Sequence, residues 1–356
     1  MKKIAKALLW VLIGLVAVAA IYFAYVLIAY HRIPDNQTME IRNNQTDAAQ
    51  TGKDYQIVTY NIGFGAYEAD YSFFMDGGTE SWAWSKERLE ANMSRIGDVL
   101  AGEKADFYFV EEVDTNSTRS YHVDESVELV NSLPSHASVW AQNFDSPFLF
   151  YPVTQPHGRS VAGIMTFSNL QMTSSLRRSL PVEESLMKLV DLDRCYSVTR
   201  VSVEGGKELV LFALHLSAYS SDGSIAVEQL KQLLADVETE RDKGNYVVCG
   251  GDFNKDLLGN SPERFGVNGD AYTWAQPFPT ELLEGTGMTL VAPYDPAHPV
   301  PSCRNADAPY HDGQLVLTID GFLVSDNVEV KESHVIDTQF AYSDHNPVHM
   351  TFSLKA

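Results

Sequence analysis

Two short motifs in the second half of the chain contain the side chains best suited to chemistry. The first is Gly251-Asp252-Phe253-Asn254 and the second is Ser343-Asp344-His345. Carboxylates and imidazoles transfer protons near neutral pH, and amides donate hydrogen bonds to anionic oxygens. These residue types indicate acid–base chemistry or ion binding, provided that the fold brings the two motifs together.

Similar side chains follow other apolar runs that are typical of β-strands. The residues that follow such runs are Asn61 (after 57–60), Glu111 and Glu112 (after 107–110), His215 (after 209–214), Asp252 (after 246–249) and Asp320 (after 315–319). Asp344 and His345 directly precede a final alternating strand. Ligands of open α/β sheets bind at such strand ends, so the repetition predicts one shared site.

The combination of these side chains is chemically coherent. Carboxylates suit a hard cation such as Mg²⁺, and this chain offers four of them: Glu112, Asp252, Asp320 and Asp344. Amides complete a metal shell or bind phosphate oxygens, here from Asn61 and Asn254, and imidazoles move protons or stabilise phosphate charge, here from His215 and His345. Paired cysteine ligands and an HExxH motif are absent from the sequence, which argues against a structural zinc site.

Each of these residues also has an ordinary structural explanation. Asp252 can cap a helix or form a turn, and Glu112 can be a solvated loop acid. His215 can be a hydrogen-bonded core histidine, and Asn61-Ile62-Gly63 is an ordinary turn signal. The recurrence of acids, amides and imidazoles at successive strand ends favours the functional interpretation.

The chain resembles the endonuclease/exonuclease/phosphatase superfamily, which includes DNase I, apurinic endonucleases, inositol polyphosphate 5-phosphatases and neutral sphingomyelinases. The resemblance covers residues 53–355 and implies a four-layer α/β/β/α sandwich. Four motifs in family order carry it: Thr59-Tyr60-Asn61-Ile62, Val110-Glu111-Glu112-Val113, Gly251-Asp252-Phe253-Asn254 and Ser343-Asp344-His345-Asn346-Pro347-Val348.

The resemblance also implies a role for each matching residue. Metal binding is implied for Glu112, with Asn61 beside it and with Asp344 as a further ligand or a support. Asp252 is implied to orient or activate the attacking water. Asn254 is implied to hold the scissile phosphate. His345, oriented by Asp320, is implied to contact the phosphate and to act as a base or a charge stabiliser. His215 is implied to assist either phosphate binding or protonation of the leaving group.

The chain departs from the family pattern at several positions. Many members have Gln where this chain has Glu111, so the choice between Glu111 and Glu112 as the metal ligand stays open. Gly63 stands where apurinic-type nucleases have an acid. Arg119 and Arg159 are candidate phosphate contacts, with a plain surface arginine as the alternative for Arg159.

The elements that must position these residues follow an α/β pattern. Besides the strands above, residues 162–166, 197–203 and 348–354 are predicted to be strands. Two apolar stripes predict amphipathic helices: Leu89, Met93, Ile96 and Leu100, and then Ile225, Leu230, Leu233, Leu234 and Val237. Mixed sheets, facing each other and covered by helices, fit this order. Residues 67–84 and 255–312 are predicted to be long surface loops that determine specificity.

The N-terminus predicts a membrane anchor. Residues 7–30 are apolar and follow Lys2, Lys3 and Lys6, and about 20 such residues cross a bilayer. We predict an uncleaved signal anchor at 1–32, with cleavage after a short Ala-Val-Ala segment as the alternative. Since the lysines precede the span, the remainder of the chain is expected outside the cytoplasm. A polar linker at 33–53 and a catalytic domain at 54–356 follow.

The net charge and the cysteine content restrict the classes of substrate and of covalent framework that fit this chain. A net charge of −21 argues against broad electrostatic capture of nucleic acid, although bound cations can supply positive charge locally. Three cysteines, Cys195, Cys249 and Cys303, give no closed disulfide framework, and the first two are predicted to be buried.

The sequence therefore predicts a phosphoesterase that depends on Mg²⁺, or on Mn²⁺ or Ca²⁺. Its expected substrate is a lipid headgroup or a small phosphodiester at the membrane. Phosphomonoesters and an extracytoplasmic nuclease are the alternatives, and a catalytically inactive binding protein on the same fold is the rival of another class. No feature implies a protein partner.

Overall fold

The computed structural model describes residues 2–183, 188, 192–218, 224–269 and 274–356. Its helices are α1 (Lys2–Ala29), α2 (Lys86–Glu103), α3 (Glu125–Ser132), α4 (Ser224–Asp242) and α5 (Ser261–Phe265). Its strands are β1 (Gln37–Thr38), β2 (Asp54–Asn61), β3 (Phe107–Asp114), β4 (Ala137–Asp145), β5 (Val161–Ser168), β6 (Met172–Ser179), β7 (Cys195–Ser202), β8 (Glu208–His215), β9 (Tyr246–Asp252), β10 (Met288–Val291), β11 (Cys303–Arg304), β12 (Val316–Leu317), β13 (Asp320–Ser325), β14 (Val328–Val335) and β15 (Val348–Leu354).

Two mixed sheets form the body of the domain. The larger sheet has the order β1-β6-β7-β8-β9-β13-β10, and the smaller has the order β14-β15-β2-β3-β5-β4. In each sheet one central pair is parallel, β8 with β9 and β2 with β3. Because the strands of a parallel pair end at the same edge, these pairs bring the residues that follow them together.

Three apolar layers hold the sheets and helices in place. The inner faces of the two sheets share one core, which includes Ile57, Phe109 and Val248. Helix α4 covers the outer face of the larger sheet through Leu233 and Val237. Helices α2 and α3 cover the other outer face. This order of layers confirms the expected α/β/β/α sandwich.

Both predicted helices are confirmed. In α2 the stripe from Leu89 to Leu100 is buried, as its spacing of three and four residues requires. Ser85 caps this helix, since its hydroxyl accepts a hydrogen bond from the Arg88 backbone N–H. In α4 the stripe is buried from Leu230 onward, and Ile225 is half-buried.

The predicted strand at 315–319 is wrong in its placement. Only Val316–Leu317 is extended, in a two-residue pair with Cys303–Arg304, and the sheet strand β13 begins at Asp320 itself. The apolar run instead buries Leu315, Leu317 and Ile319 in a small separate cluster. Apolar content alone does not distinguish these two environments.

The remaining predicted strands are confirmed with small shifts at their ends, but several strands were not predicted. Strand β6 contains Ser, Thr and Arg, and β14 carries charged residues on an exposed sheet edge. Neither shows a clear apolar alternation. Edge strands such as β14 are often polar, and β6 is covered on its outer side only by the two-residue strand β1. Strand β4 was also missed, and β10 lies inside the segment predicted to be a long loop.

The region before the domain consists of an apolar helix and an extended segment. The helix Lys3–Ala29 contains an 18-residue window with a mean hydropathy of 2.7, and by length and composition it could cross a membrane. Residues 33–53, predicted to be a polar linker, run along the edge of the domain. Gln37–Thr38 pairs with β6, and Ala49 is fully buried.

Candidate active site at the strand ends

Asn61 joins the two sheets at the centre of the candidate site. Its amide Nδ2 donates to a Glu112 oxygen at 3.3 Å and to Asp252 Oδ2 at 3.1 Å. Asn61 ends β2, whereas Glu112 lies on β3 and Asp252 ends β9 in the other sheet. The two sheets therefore place acids from separate strands around one amide.

A β-bulge decides which of the two adjacent glutamates faces the site. The register of β3 with β5 shifts between Val110 and Val113, and Glu112 takes a positive φ of 57°. Glu111 instead points inward, where Thr59 donates to it at 3.0 Å. Burial, and then the charge of Asp320, raises the pKa of Glu111 well above its usual value. This geometry favours Glu112 as the ligand.

Strand register places the second acid beside a histidine. Asp320 lies opposite Asp252 in the β13–β9 pair, and its Oδ2 is 2.8 Å from His345 Nδ1. Ser302 also donates to that oxygen, at 2.7 Å. Burial opposes charge on the imidazole, but the Asp320 carboxylate holds the pKa of His345 well above its usual range. The Asp320 carboxylate therefore favours the protonated form of His345.

Asp252 lies between two imidazoles of different charge. Its Oδ2 is 3.8 Å from His345 Nε2 and 3.5 Å from His215 Nε2. Burial lowers the pKa of His215 well below its usual value, with a smaller effect from the positive Arg194. Burial and Asp320 raise the pKa of Asp252. The carboxylate thus lies between one histidine whose protonated form is favoured and one whose neutral form is favoured, and it is a stronger base than an exposed aspartate.

The Gly251–Asn254 turn needs its specific residues. Gly251 has a φ of 139°, and a Cβ there would lie 2.0 Å from the Leu214 carbonyl oxygen, so only glycine fits. Asn254 also has a positive φ of 49°. Its backbone N–H donates to Asp252 Oδ1 at 2.8 Å, and its amide donates to the Leu216 carbonyl at 2.8 Å.

The Ser343–His345 motif is bound to the end of β2. Ser343 Oγ donates to the Asn61 carbonyl at 2.8 Å, which places Asp344 beside Gly63. A Cβ on Gly63 would lie 3.1 Å from Asp344 Oδ1. Burial raises the pKa of Asp344, Arg304 lowers it, and the charge of Glu112 raises it. Asp344 and Glu112 are therefore electrostatic neighbours.

The two candidate phosphate-binding arginines have other partners. Arg119 forms a two-point ion pair with Asp114 at 3.0 and 2.9 Å and stacks on the Phe64 ring. Arg159 is half exposed and pairs with Asp145 at 2.7 Å. Both therefore have protein partners before any phosphate binds.

Sequence reasoning missed two residues that support the site. Ser302 orients Asp320, and Arg304 is 1% exposed with its guanidinium directed at the carbonyls of Tyr67, Glu68 and Tyr71. Both lie inside the aperiodic segment 255–312, which offers no strand pattern. A buried arginine leaves no signature in a single sequence.

The donor set fits a hard divalent cation. Glu112 and Asp344 are electrostatic neighbours and the Asn61 amide lies 3.3 Å from Glu112, so these residues offer oxygen donors close together. The adjacent group of Asp252, Asp320 and His345 has N and O atoms within 4.8 Å of one another. Oε2 of Glu111 and Oδ1 of Asp320 are buried without a hydrogen-bond partner among the described residues. Apart from the imidazoles, the donors at the site are carboxylate and amide oxygens, which Mg²⁺, Mn²⁺ and Ca²⁺ prefer. Burial raises the pKa of nearby Cys303 to about 12, so it stays a neutral thiol.

Comparison with family models gives a match to the endonuclease/exonuclease/phosphatase family over residues 58–345. The chain belongs to this family. Its members are hydrolases of ester bonds, and this protein is accordingly a hydrolase acting on ester bonds. The family generally uses divalent metal ions. A search of curated proteins gave no match.

Solved structures show the same fold at low sequence identity. A family protein from Beutenbergia cavernae is 18% identical, with a TM-score of 0.58 over 85% of this chain and 72% of that one. ANGEL2, described as a 2′,3′-cyclic phosphatase, is 15% identical, with a TM-score of 0.56 over 91% and 100% of the two chains. The human Nocturnin catalytic domain has 14% identity and a TM-score of 0.52 over 89% and 98%.

Proposed function

We propose that this protein is a metal-dependent phosphoesterase that works outside the cytoplasm while tethered to the membrane. The observation that carries the proposal is the position of Asn61, hydrogen-bonded to both Glu112 and Asp252 across the two sheets. The His345–Asp320 pair lies directly beside it. An acid, a buried base and an imidazolium around one point are what phosphoester hydrolysis requires.

A divalent cation held by Glu112 and Asp344, with Asn61 beside them, would neutralise phosphate oxygens and stabilise the leaving oxygen. The protein's own groups account for the remaining chemistry. Asp252 accepts a proton from the attacking water, because its raised pKa makes it a competent base.

Three further side chains hold the phosphate through the reaction. His345 stays protonated beside Asp320 and stabilises the negative charge that builds on the phosphate. The Asn254 amide keeps one N–H for a phosphate oxygen, since it donates only the other to Leu216. His215 is neutral and its Nε2 is 3.5 Å from Asp252, so it can accept on Nε2 the proton that Asp252 takes from the water and release its Nδ1 proton to the leaving oxygen.

Two features favour a phosphoester at a membrane surface. The first is the net charge of −21, which opposes capture of polyanions. The second is an apolar tip within residues 148–153, where Phe150, Tyr151 and Val153 are 56%, 69% and 83% exposed. Exposed neighbouring apolar side chains of this kind mark contact with a membrane or a partner.

The apolar tip is bound to the anchor helix α1. Tyr22 Oη accepts a hydrogen bond from the Phe150 backbone N–H at 3.2 Å, and Tyr25 Oη accepts one from the Phe148 N–H at 3.0 Å. Tyrosines are enriched at membrane–water interfaces. If α1 crosses the bilayer, these contacts hold the tip at the level of the lipid headgroups.

The same loop leads back to the catalytic residues. The Tyr151 and Phe74 rings are 5.6 Å apart, and Trp82 Nε1 donates to the Pro156 carbonyl at 2.8 Å. The Ala83 backbone N–H in turn donates a hydrogen bond to the Arg119 carbonyl. The Arg119 guanidinium is close enough to Glu112 for the two charges to interact. A continuous series of packed residues therefore connects the tip to the catalytic residues. If the tip lies at a membrane, the site lies near it, which favours a lipid headgroup or a small phosphodiester as the substrate.

Purified full-length protein in detergent tests this proposal with a panel of substrates in Mg²⁺. The panel contains sphingomyelin in mixed micelles, inositol phosphates, p-nitrophenyl esters and plasmid DNA. We expect hydrolysis of the micellar lipid or of the small phosphodiesters, and none by the Asp252→Asn variant. DNA nicking alone would establish the extracytoplasmic nuclease instead. No hydrolysis of any substrate would favour a binding protein on this fold.

A further inference from the structure

A second group of metal-ligating side chains lies outside the catalytic site. It consists of Glu332, His334 and His349, and one ligand atom from each lies within 4.8 Å of the other two. Strand pairing produces this cluster, since His334 is directly opposite His349 in the β14–β15 ladder. Glu332 lies two residues before His334 and so shares its face of the sheet.

The imidazole of His349 has a buried nitrogen to which no described residue forms a hydrogen bond. The side chain is only 5% exposed, and its Nδ1 is buried without a hydrogen-bond partner among the described residues. Its ring packs against that of His334, with 4.8 Å between the centroids. A buried imidazole nitrogen costs free energy unless it is bonded, and a cation bound to the cluster would use this ring as a ligand.

The neighbouring groups favour a cation over an anion. Glu332 accepts only a weak bond from Thr351 Oγ1 at 3.3 Å. The carboxylate of Glu103, at the end of α2, is close enough to His334 for the two to interact electrostatically. The basic side chain next to Glu332 in sequence, Lys331, pairs with Glu329 at 2.8 Å. Two imidazoles with acidic neighbours match the ligand preferences of a borderline cation such as Zn²⁺.

We propose that Glu332, His334 and His349 form a Zn²⁺-type site distinct from the catalytic one. Tetrahedral zinc, with bonds of about 2.0–2.1 Å, holds its donors ~3.4 Å apart. The exposed Glu332 and His334 can close that distance by rotating, while His349 stays fixed by burial. A water molecule can occupy a fourth position.

The location gives this site a consequence for the catalytic residues. Residues 336–347 connect β14 to β15, and they carry Asp344 and His345. The His334–His349 pair lies at the base of this connection, one residue from the end of each strand. A bound metal ion would therefore clamp the two strands from which the catalytic loop extends.

Zinc binding by the full-length protein in detergent tests the proposal directly. The titration is made in excess Mg²⁺ against a chromophoric chelator and is followed by metal analysis after gel filtration. We expect His334→Ala to bind one zinc equivalent fewer than the wild type, and His298→Ala, which removes an exposed histidine elsewhere, to match the wild type. Equal stoichiometry in the wild type and His334→Ala would overturn the site.

Two further variants separate ligand loss from misfolding. Glu332→Gln keeps the shape of the side chain and is expected to weaken zinc binding more than about 10-fold. Asp252→Asn, in the catalytic site, is expected to keep the zinc equivalent that is lost in His334→Ala. In thermal unfolding, Zn²⁺ should raise the midpoint of the wild type and of His298→Ala but not that of His334→Ala. A full shift in His334→Ala would contradict the proposal.

Discussion

The strand ends around Asn61 and the apolar tip around Phe150 differ in how they are built. At the strand ends, buried polar side chains are fixed by sheet register and by hydrogen bonds of 2.7–3.3 Å. At the tip, apolar side chains are exposed and are held mainly through their backbone by tyrosines of α1. The first region specifies the reaction through fixed groups, and we propose that the second brings that reaction to a lipid surface.

The largest predicted effect is at Asp252, because nothing else in the described site replaces a buried base at that point. Asp252→Asn should lower kcat by about 10³-fold, within the range for general acid–base groups. The rate is measured on bis-p-nitrophenyl phosphate in Mg²⁺, with circular dichroism as the folding check. Asp312→Asn, at an exposed position, is the matched control. A comparable loss in both variants would remove the special role of Asp252.

Substitutions of the two adjacent glutamates should have clearly different effects on the Mg²⁺ requirement. Glu112→Gln removes the carboxylate turned outward by the bulge and should raise the Mg²⁺ concentration for half-maximal rate by about 10–100-fold. Glu111→Gln should leave that concentration nearly unchanged. A larger metal effect from Glu111→Gln would reverse the assignment.

Glu111→Gln should also stabilise the fold near neutral pH. Burial raises the pKa of Glu111, so the folded state takes up a proton there and loses stability as the pH rises above the unfolded-state pKa. The neutral amide of Gln does not lose stability in this way, so the increase in the free energy of unfolding over the wild type should grow with pH. Thermal unfolding between pH 5 and pH 8 measures it, and a gain that shrinks with rising pH would contradict the buried position.

Asp320→Asn should have a smaller but specific effect on the rate. Asp320 orients His345 and keeps it protonated, so the amide should lower kcat by roughly 10²-fold. Because the pKa of His345 falls without that carboxylate, the alkaline limb of the pH–rate profile should move to lower pH. An unmoved limb would show that His345 does not act as a cation.

The smallest predicted effect concerns the tip and appears on one substrate type only. Phe150→Ser with Val153→Ser removes ~1.5–3 kcal/mol of apolar burial per side chain at a membrane. Since the proposed anchor α1 is unchanged in this variant, we expect about a 10-fold lower rate on sphingomyelin micelles and an unchanged rate on the soluble reporter. Val127→Ser, which alters an exposed valine on α3, is the control. If the double variant and the wild type had equal rates on micelles, the tip would have no role in membrane contact.

The sequence alone was enough to find most of the site residues at the strand ends. Asn61, Glu112, His215, Asp252 and His345 were found because each ends an apolar strand or precedes one, and the structure brings them together. Their roles stay predictions until the variants are made. Asp320 was found by type, although the strand assigned before it lies after it, because an apolar run does not reveal which core it enters.

Other features have no local signal in the sequence. Ser302 and Arg304 act through contacts made across the fold, and β6 and β14 are polar strands without apolar alternation. The partner of Arg119 is Asp114, five residues away, a pairing visible only once the intervening turn is known. Tertiary contacts, rather than local propensity, determine these features.

The most direct test of the central claim is the metal dependence of hydrolysis. Full-length protein is stripped with EDTA, exchanged into chelator-free buffer, and assayed on bis-p-nitrophenyl phosphate as Mg²⁺ is added back. The proposal predicts no measurable rate without metal, a saturable recovery in the wild type, and no recovery in Asp252→Asn. A wild-type rate that is the same with EDTA and with Mg²⁺ would contradict it.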